Sequence, residues 1–175
     1  TVDAFLSSGF TPAELMRWVH PSLVASTQGT GMGGMTSMER MFHGNLLGTA
    51  KPNDILQEVL PNVVAAHVMQ SYVGGDGAMV HPVGACATAA VSIEEGVDKI
   101  RLGKAELVVA GGFDDLIMDA VIGFGDMAAT ADTEMMRATG INDATFSPAD
   151  DRRRRGFPEA QGGGTILLAR GERPP

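Results

Sequence analysis

The stretch VHPVGACATAAVSIEEGV contains the chain's one cysteine, Cys86, where an apolar run gives way to small residues and then to an amphipathic helical pattern. Cysteine chemistry needs the thiolate, and the unpaired N–H groups and macrodipole at a helix N-terminus favour negative charge. The spacing predicts a strand ending near Gly84 and a helix beginning near Thr88, which puts Cys86 in the turn between them. Gly84, Ala85 and Ala87 keep the flanks small, so a sharp strand–turn–helix bend fits and an acyl group can approach. Such a bend aims the Cys86 N–H at an oxyanion. A free cysteine is also among the most buried residue types and often only packs. Spacing alone leaves both readings open.

The elements that would position this turn follow from periodicity and capping. TPAELMRWVH reads as a short helix, with Thr11 as cap and Pro12 at its first position. SLVAST (22–27) reads as a buried strand, followed by GTGMGG and a helix over MTSMERMF. NDILQEVL starts on Asn53 as a cap, and Pro61 opens a second helical segment, PNVVAAHVMQSY. GAMVHPVG (77–84) is strand-like, with Pro82 pointing to an edge or a bulge. From 87 to 102, Ala89, Ala90, Ile93, Val97 and Ile100 recur at helical spacing, leaving Glu94, Glu95, Asp98 and Lys99 on the exposed face. AELVVAGG (105–112) and GTILLARG (164–171) read as buried strands, and IMDAVIGFGDM as helix then loop. Alternating strands and helices imply an α/β protein with both faces of its sheet covered.

Composition narrows the function classes. A formal charge of −8 over 175 residues argues against a nucleic-acid or anionic-membrane binder, since both need a basic face. One cysteine cannot form an internal disulfide, no apolar run reaches the roughly 18 residues of a membrane span, and no signal peptide opens the chain. A soluble cytoplasmic protein is the expectation. The chain starts at Thr1 without a Met and reads as a piece of something longer. Its glycine clusters at 29–34, 74–77, 111–112 and 162–164 are each followed at once by apolar residues, which suits tight turns rather than flexible linkers.

Three other groups invite chemistry. GTGMGG matches a dinucleotide fingerprint at Gly29, Gly31 and Gly34, with Asp54 further on. The context fails: no second strand precedes Asp54, which belongs to the first turn of a helix. Asp114 and Asp115 form a carboxylate pair, too few ligands for a metal and better suited to binding loop N–H groups. DDRRRRGF (150–157) is the dense basic run: a solvated loop, a dock for an acidic partner through Arg153 and Arg154, or a source of salt bridges to adjacent domains.

VGACATAAVSIEEGVDKIRLGKAELVVAGG resembles the active-site segment of β-ketoacyl synthases, with most likeness to the domain of fungal and mycobacterial-type type I fatty acid synthases. GTGMGG, NDILQE, GGFDD, FGDMAAT and RRRRGFPEAQGGGTILLARG follow that family's order, so the likeness covers 22–171. The resemblance implies the first half of a thiolase-like fold, a layered α/β/α arrangement with a mixed sheet. Residues 1–21 are then a leading segment and 22–175 the N-terminal half of the synthase domain, its C-terminal half absent. It implies that Cys86 is the catalytic nucleophile of a decarboxylative Claisen condensation, taking an acyl chain as a thioester before attack by the enolate of malonyl on an acyl carrier protein.

Gly31, Met32 and Phe124 become substrate-binding residues along the acyl channel, although Met32 and Phe124 also read as core filler. The domain would need no metal and no cofactor of its own, because the phosphopantetheine of the carrier protein holds the substrates. Its partners would be that carrier domain and a second synthase copy, a dimer within a larger hexameric particle, with neither nucleic acid nor membrane. The family's two assisting histidines follow the cysteine, whereas His20, His43, His67 and His81 all precede it, so none is assigned to catalysis and the piece alone is expected to be inactive. Thiolase is an alternative on the same fold, and a non-catalytic dimerisation scaffold is an alternative from another class.

Overall fold

In the computed structural model, residues 1–50, 52–146, 148 and 150–171 are described. Strands β1 (Val24–Gly29) and β2 (Leu107–Asp114) pair in parallel, and β3 (Gly162–Ala169) pairs antiparallel with β2, giving the order β1-β2-β3. This mixed sheet belongs to a unit formed by Thr1–Asp115 together with the strand that begins at Gly162. Helices α1 (Val2–Ser8), α2 (Pro12–Leu15), α3 (Met35–Leu47), α4 (Ile55–Glu58), α5 (Val63–His67) and α6 (Thr88–Arg101) belong to the same unit, and α5 runs on as a π-helical stretch over Val68–Val73.

Alternation along the strands sorts side chains onto two faces. Val24, Leu107 and Val109 point to a cluster with Phe5, Leu15, Met69 and Val73, with Leu167 packed against it. Ala25, Val108 and Ala110 point the other way, toward Ile93 and Ile100 of α6 and Leu168 of β3. The sheet is therefore covered on both faces, the layered α/β/α arrangement expected. Phe5 and Leu15 lie in the leading 21 residues, so that segment supplies part of the core.

Several helices end where local chemistry dictates. Thr11 and Glu14 form a reciprocal capping box on α2, with Pro12 at its first position. The helix predicted over MTSMERMF continues to Leu47 and stops at Gly48, whose φ of 64° accommodates the left-handed turn. Asp54 rather than Asn53 sits at the N-cap of α4.

Four expectations need correction. Residues 77–84 form no extended strand; they run beside β1 in parallel with one bridge, Met79 to Ser26, and hydrogen bonds from Gly77 N to Val24 O, from Ser26 N to Ala78 O and from Val80 N to Ser26 O. Pro82 lacks the N–H that a longer ladder would need. The last strand, β3, is largely exposed: among the described strands it pairs only with β2, and it opens on three consecutive glycines with no side chain to bury. Residues 118–126 are helical throughout. On α6 the buried stripe is Thr88, Ser92, Gly96 and Lys99, while Ile93, Val97 and Ile100 are half-buried and Ala89 and Ala90 are exposed.

The stripe on α6 is displaced because the helix sits close to the sheet. A methyl group at Gly96 would lie 2.9 Å from Leu168 Cδ1 and 3.1 Å from Thr27 Oγ1. Thr27 Oγ1 donates to the Ser92 carbonyl at 2.8 Å. Lys99 is only 8 % exposed, and its ammonium reaches Glu95 at 2.9 Å.

Leu116–Gln161 forms a second unit. It contains α7 (Met118–Asp126) and α8 (Thr133–Ala138), with a bridge between Thr130 and Phe157. Met136 and Ile141 are buried within it, and Asp132 caps α8 by accepting from the Met135 amide at 2.9 Å.

Phe5 is the largest fully buried side chain. Phe5→Ala should lower unfolding stability by about 3–5 kcal/mol, read from a denaturant titration. A loss below about 1 kcal/mol, no more than a surface substitution gives, would mean that α1 is not anchored in this core.

Candidate active site

Cys86 lies in a single 3₁₀ turn, Ala85–Ala87, that leads directly into α6, and its side chain is exposed. The bend is tight enough to place Ala85 at φ 48°, a left-handed conformation unusual for a residue with a side chain. Thr88 brackets it. Its buried hydroxyl accepts from the Gly84 N–H at 2.8 Å and donates to the Ala85 carbonyl at 2.7 Å. Ala87 N donates to the Gly84 carbonyl at 3.0 Å. The polar groups on both sides of the cysteine are thus engaged, and the thiol faces outward.

The loop after β1 runs beneath this turn. A methyl group at Gly29 would collide with the Pro82 carbonyl oxygen and lie 2.6 Å from Thr88 Cγ2. One at Gly31 would lie 3.0 Å from the Ala85 carbonyl oxygen. These two glycines let the backbone of one loop lie against the other, so Gly31 flanks the cysteine turn, and Met32 is the next residue along that loop.

The loop's own polar groups are held from the end of β2. Asp114 Oδ1 accepts from the Thr30 hydroxyl at 2.8 Å, the Gly31 N–H at 3.0 Å and the Met32 N–H at 2.7 Å. Asp115 Oδ2 accepts from the Thr36 N–H at 2.9 Å and its hydroxyl at 2.6 Å, at the start of α3. The acidic pair therefore meets loop N–H groups, as its sequence context suggests. A dinucleotide's pyrophosphate would need the amides that Asp114 occupies and would face its charge, so the glycine fingerprint is not a nucleotide site.

The other singled-out residues fall elsewhere. Phe124 belongs to the second unit, where it is half-buried and packs edge-to-face on Phe157, ring centroids 5.3 Å apart. His81 is packed beside Phe113, both its ring nitrogens sealed from solvent and without a hydrogen-bond partner. His67 is exposed and points toward Glu58 at 3.9 Å.

In the basic run, Arg153 is tied to Asp151: Nε and Nη2 reach its carboxylate oxygens at 3.1 and 2.7 Å, and the Arg153 amide adds a third donor at 2.8 Å. The guanidinium hydrogen bonds, then the amide, hold the Asp151 carboxyl down to about 2. The pair therefore stays joined as pH falls until that value is approached. Arg153 is thus already paired, whereas Arg154 uses only its Nε, on the Gly156 carbonyl at 3.3 Å, and remains exposed.

Two features escaped the sequence. The sequence marks Thr88 only as a helix start, although a threonine two residues after the cysteine is placed to bracket the bend. Gly29 carries only turn and fingerprint signals along the chain, because the carbonyl it makes room for lies 53 positions away (82 − 29).

The mixed sheet with helices on both faces and a cysteine turn opening α6 define the first half of a thiolase-like α/β fold. The ketosynthase FabY from P. aeruginosa matches it with a TM-score of 0.80 over 92 % of this chain and 26 % of that one, at 21 % identity. A beta-ketoacyl synthase from Burkholderia phymatum matches with a TM-score of 0.69 over 88 % of this chain and 36 % of that one, also at 21 % identity.

The chain belongs to the β-ketoacyl synthase family: residues 1–173 match its N-terminal domain. It is 38 % identical over 168 residues to the fatty acid synthase subunit alpha of Saccharomyces cerevisiae, covering 95 % of this chain and 9 % of that one. It is 37 % identical over 171 residues to the fatty acid synthase alpha subunit aflA of Aspergillus parasiticus, covering 97 % of this chain and 10 % of that one. The chain thus spans about a tenth of the length of these curated relatives. Among the described residues no helix is long and apolar enough to cross a membrane.

Thr88→Val keeps the side-chain shape but removes both hydroxyl hydrogen bonds. It should cost about 1–3 kcal/mol of stability and change the rate at which a small alkylating agent modifies Cys86. Wild-type stability and alkylation would show that the bend holds without the bracket.

Proposed function

We propose that this chain is the nucleophile-bearing half of a ketoacyl synthase domain in a multifunctional fatty acid synthase. The observation that carries the reading is an exposed cysteine in the turn that opens α6, within a chain that belongs to the synthase family. In the first step the Cys86 thiolate attacks the carbonyl of an acyl thioester on the carrier protein. The carbon–sulfur bond to the carrier breaks, the carrier leaves as a thiolate that takes up the proton Cys86 gave up on ionising, and the acyl group stays on Cys86. In the second, a carrier-bound malonyl group loses carbon dioxide. The resulting enolate carbon attacks the Cys86 thioester, the Cys86 thiolate leaves, and a 3-oxoacyl chain two carbons longer remains on the carrier. Covalent capture divides one difficult carbon–carbon bond formation into two easier steps.

The residues of this chain serve that scheme in different ways. The Cys86 N–H, at the leading end of α6, suits the oxyanion that forms in both tetrahedral intermediates. Gly31 leaves room beside the turn, Met32 offers a yielding apolar wall, and Phe124 is a further acyl contact in the whole domain. The histidines that assist decarboxylation in the family would come from the missing half, so the chain alone should not turn over. The acyl carrier protein delivers both thioesters, and a second synthase copy within a larger, hexameric cytoplasmic particle is the expected neighbour.

In the whole synthase, Cys86→Ala should lower 3-oxoacyl product formation roughly a thousandfold or more and abolish transfer of a radiolabelled acyl group to this domain. Label retained on the domain would refute the assignment. If the basic run meets an acidic carrier, Arg154→Glu should lower kcat/KM for carrier-bound acyl donors about threefold to tenfold at low salt and less at high salt. Unchanged kinetics at low salt would remove Arg154 from the docking surface.

A further inference from the structure

The proposed reaction gives no task to the two carboxylates at and just beyond the end of β2, yet between them they receive five hydrogen bonds from the loop after β1 and the first turn of α3. Asp115 holds the far end of that loop, at Thr36 on α3. Asp114 holds its near end, with Thr30, Gly31 and Met32 converging on a single oxygen. Thr30 is itself almost fully buried, and its hydroxyl, while donating to Asp114, also accepts from the Gly33 N–H at 2.6 Å. None of these three bonds ties Asp114 to the sheet it ends. All act on the short backbone segment that lies against the Ala85 carbonyl, one residue before the nucleophile.

This division of labour has a mechanical consequence. With Asp114 weakened, the loop is still fixed at Gly29, inside β1, and at Thr36 through Asp115. Only the segment from Thr30 to Met32 gains freedom. A carboxylate accepting backbone N–H groups makes charge-assisted hydrogen bonds, stronger than those of a neutral amide oxygen. Replacing the charge while keeping the shape therefore loosens the segment without emptying the site.

We infer that Asp114 is a positioning residue that fixes Gly31 and Met32 beside the Cys86 turn and thereby sets which acyl chain lengths reach the sulfur. This rests on the proposed roles of Cys86 as the acylated nucleophile and of Met32 as a wall of the acyl path. Asp114 touches neither substrate nor sulfur in this role. It acts through the backbone of the two residues it binds, and Met32 follows because its own N–H makes the 2.7 Å bond.

The test uses the whole synthase with Asp114→Asn, Asp115→Asn and Met32→Ala. Acylation of Cys86 by octanoyl- and palmitoyl-pantetheine is followed by mass spectrometry of the cysteine peptide, alongside alkylation by iodoacetamide and the thermal unfolding midpoint. Asp114→Asn should move the octanoyl-to-palmitoyl ratio about tenfold, the effect of one weakened charge-assisted bond. It should do so in the direction that Met32→Ala moves it, with iodoacetamide alkylation unchanged. Asp115→Asn should move the ratio less. An unchanged ratio in Asp114→Asn, with acylation intact, overturns the inference and leaves the role of Cys86 standing. So does a joint fall in both acylations, alkylation and unfolding midpoint, because Asp114 would then be supporting the fold alone. If wild-type Cys86 accepts neither acyl group, the proposed function itself fails and the positioning role fails with it.

Discussion

The geometry of this domain depends on how near two backbones come to each other. The loop leaving β1 passes beneath the turn that bears Cys86, and any side chain at Gly29 would strike the Pro82 carbonyl and the Thr88 methyl group. Because that space is empty of side chains, the turn can bend sharply enough to hold Ala85 at positive φ while α6 begins at once behind it. The same economy of volume recurs further along α6, where Gly96 lets the helix settle onto Thr27, Val108 and Leu168. The cysteine is presented on a tight bend because helix, strand and loop are packed through glycine at both ends of the contact.

Polar satisfaction completes what close packing begins. A loop rich in glycine exposes N–H groups that must find acceptors when they are taken from water. Here Asp114 supplies a single oxygen to three donors, and Asp115 supplies another to the start of α3. The cysteine turn solves the same problem locally, through the Thr88 hydroxyl. A strand, a glycine-rich loop and a helix are what a phosphate-binding fingerprint requires, and all three are present. Chemistry at the loop decides otherwise, because its amides already face a carboxylate.

Much of this was legible in the chain. Capping at Thr11 and Pro12, the run LVVA in β2 and the helical repeat after Cys86 are local signals, and each appears where the spacing puts it. Cys86 between small residues and the order of the surrounding motifs were enough to indicate the family. Residues 77–84 carry strand-like letters but pair through one bridge, because strand letters describe a capacity for pairing and Pro82 withholds a donor. GTILLARG looked buried because it is apolar, yet its position at the sheet's margin leaves it exposed. On α6 the fully buried line is Thr88, Ser92 and Gly96, with the half-buried Ile93 and Ile100 packed beside it, since a helix pressed this close to a sheet has little room for larger side chains at its line of contact.

The sequence by itself determined the residue types: a lone thiol among small neighbours, glycines after a strand, two adjacent carboxylates at the end of another. It also determined the local elements, because capping and periodicity act over a few residues. Only the tertiary structure decided which of these meet. That Gly29 makes room for Pro82, that Thr88 closes the bend and that Asp114 holds Gly31 and Met32 are contacts between segments distant along the chain or between groups whose direction depends on a finished turn. Such contacts are selected by the packing of the whole sheet and helix layer, which no short stretch encodes alone.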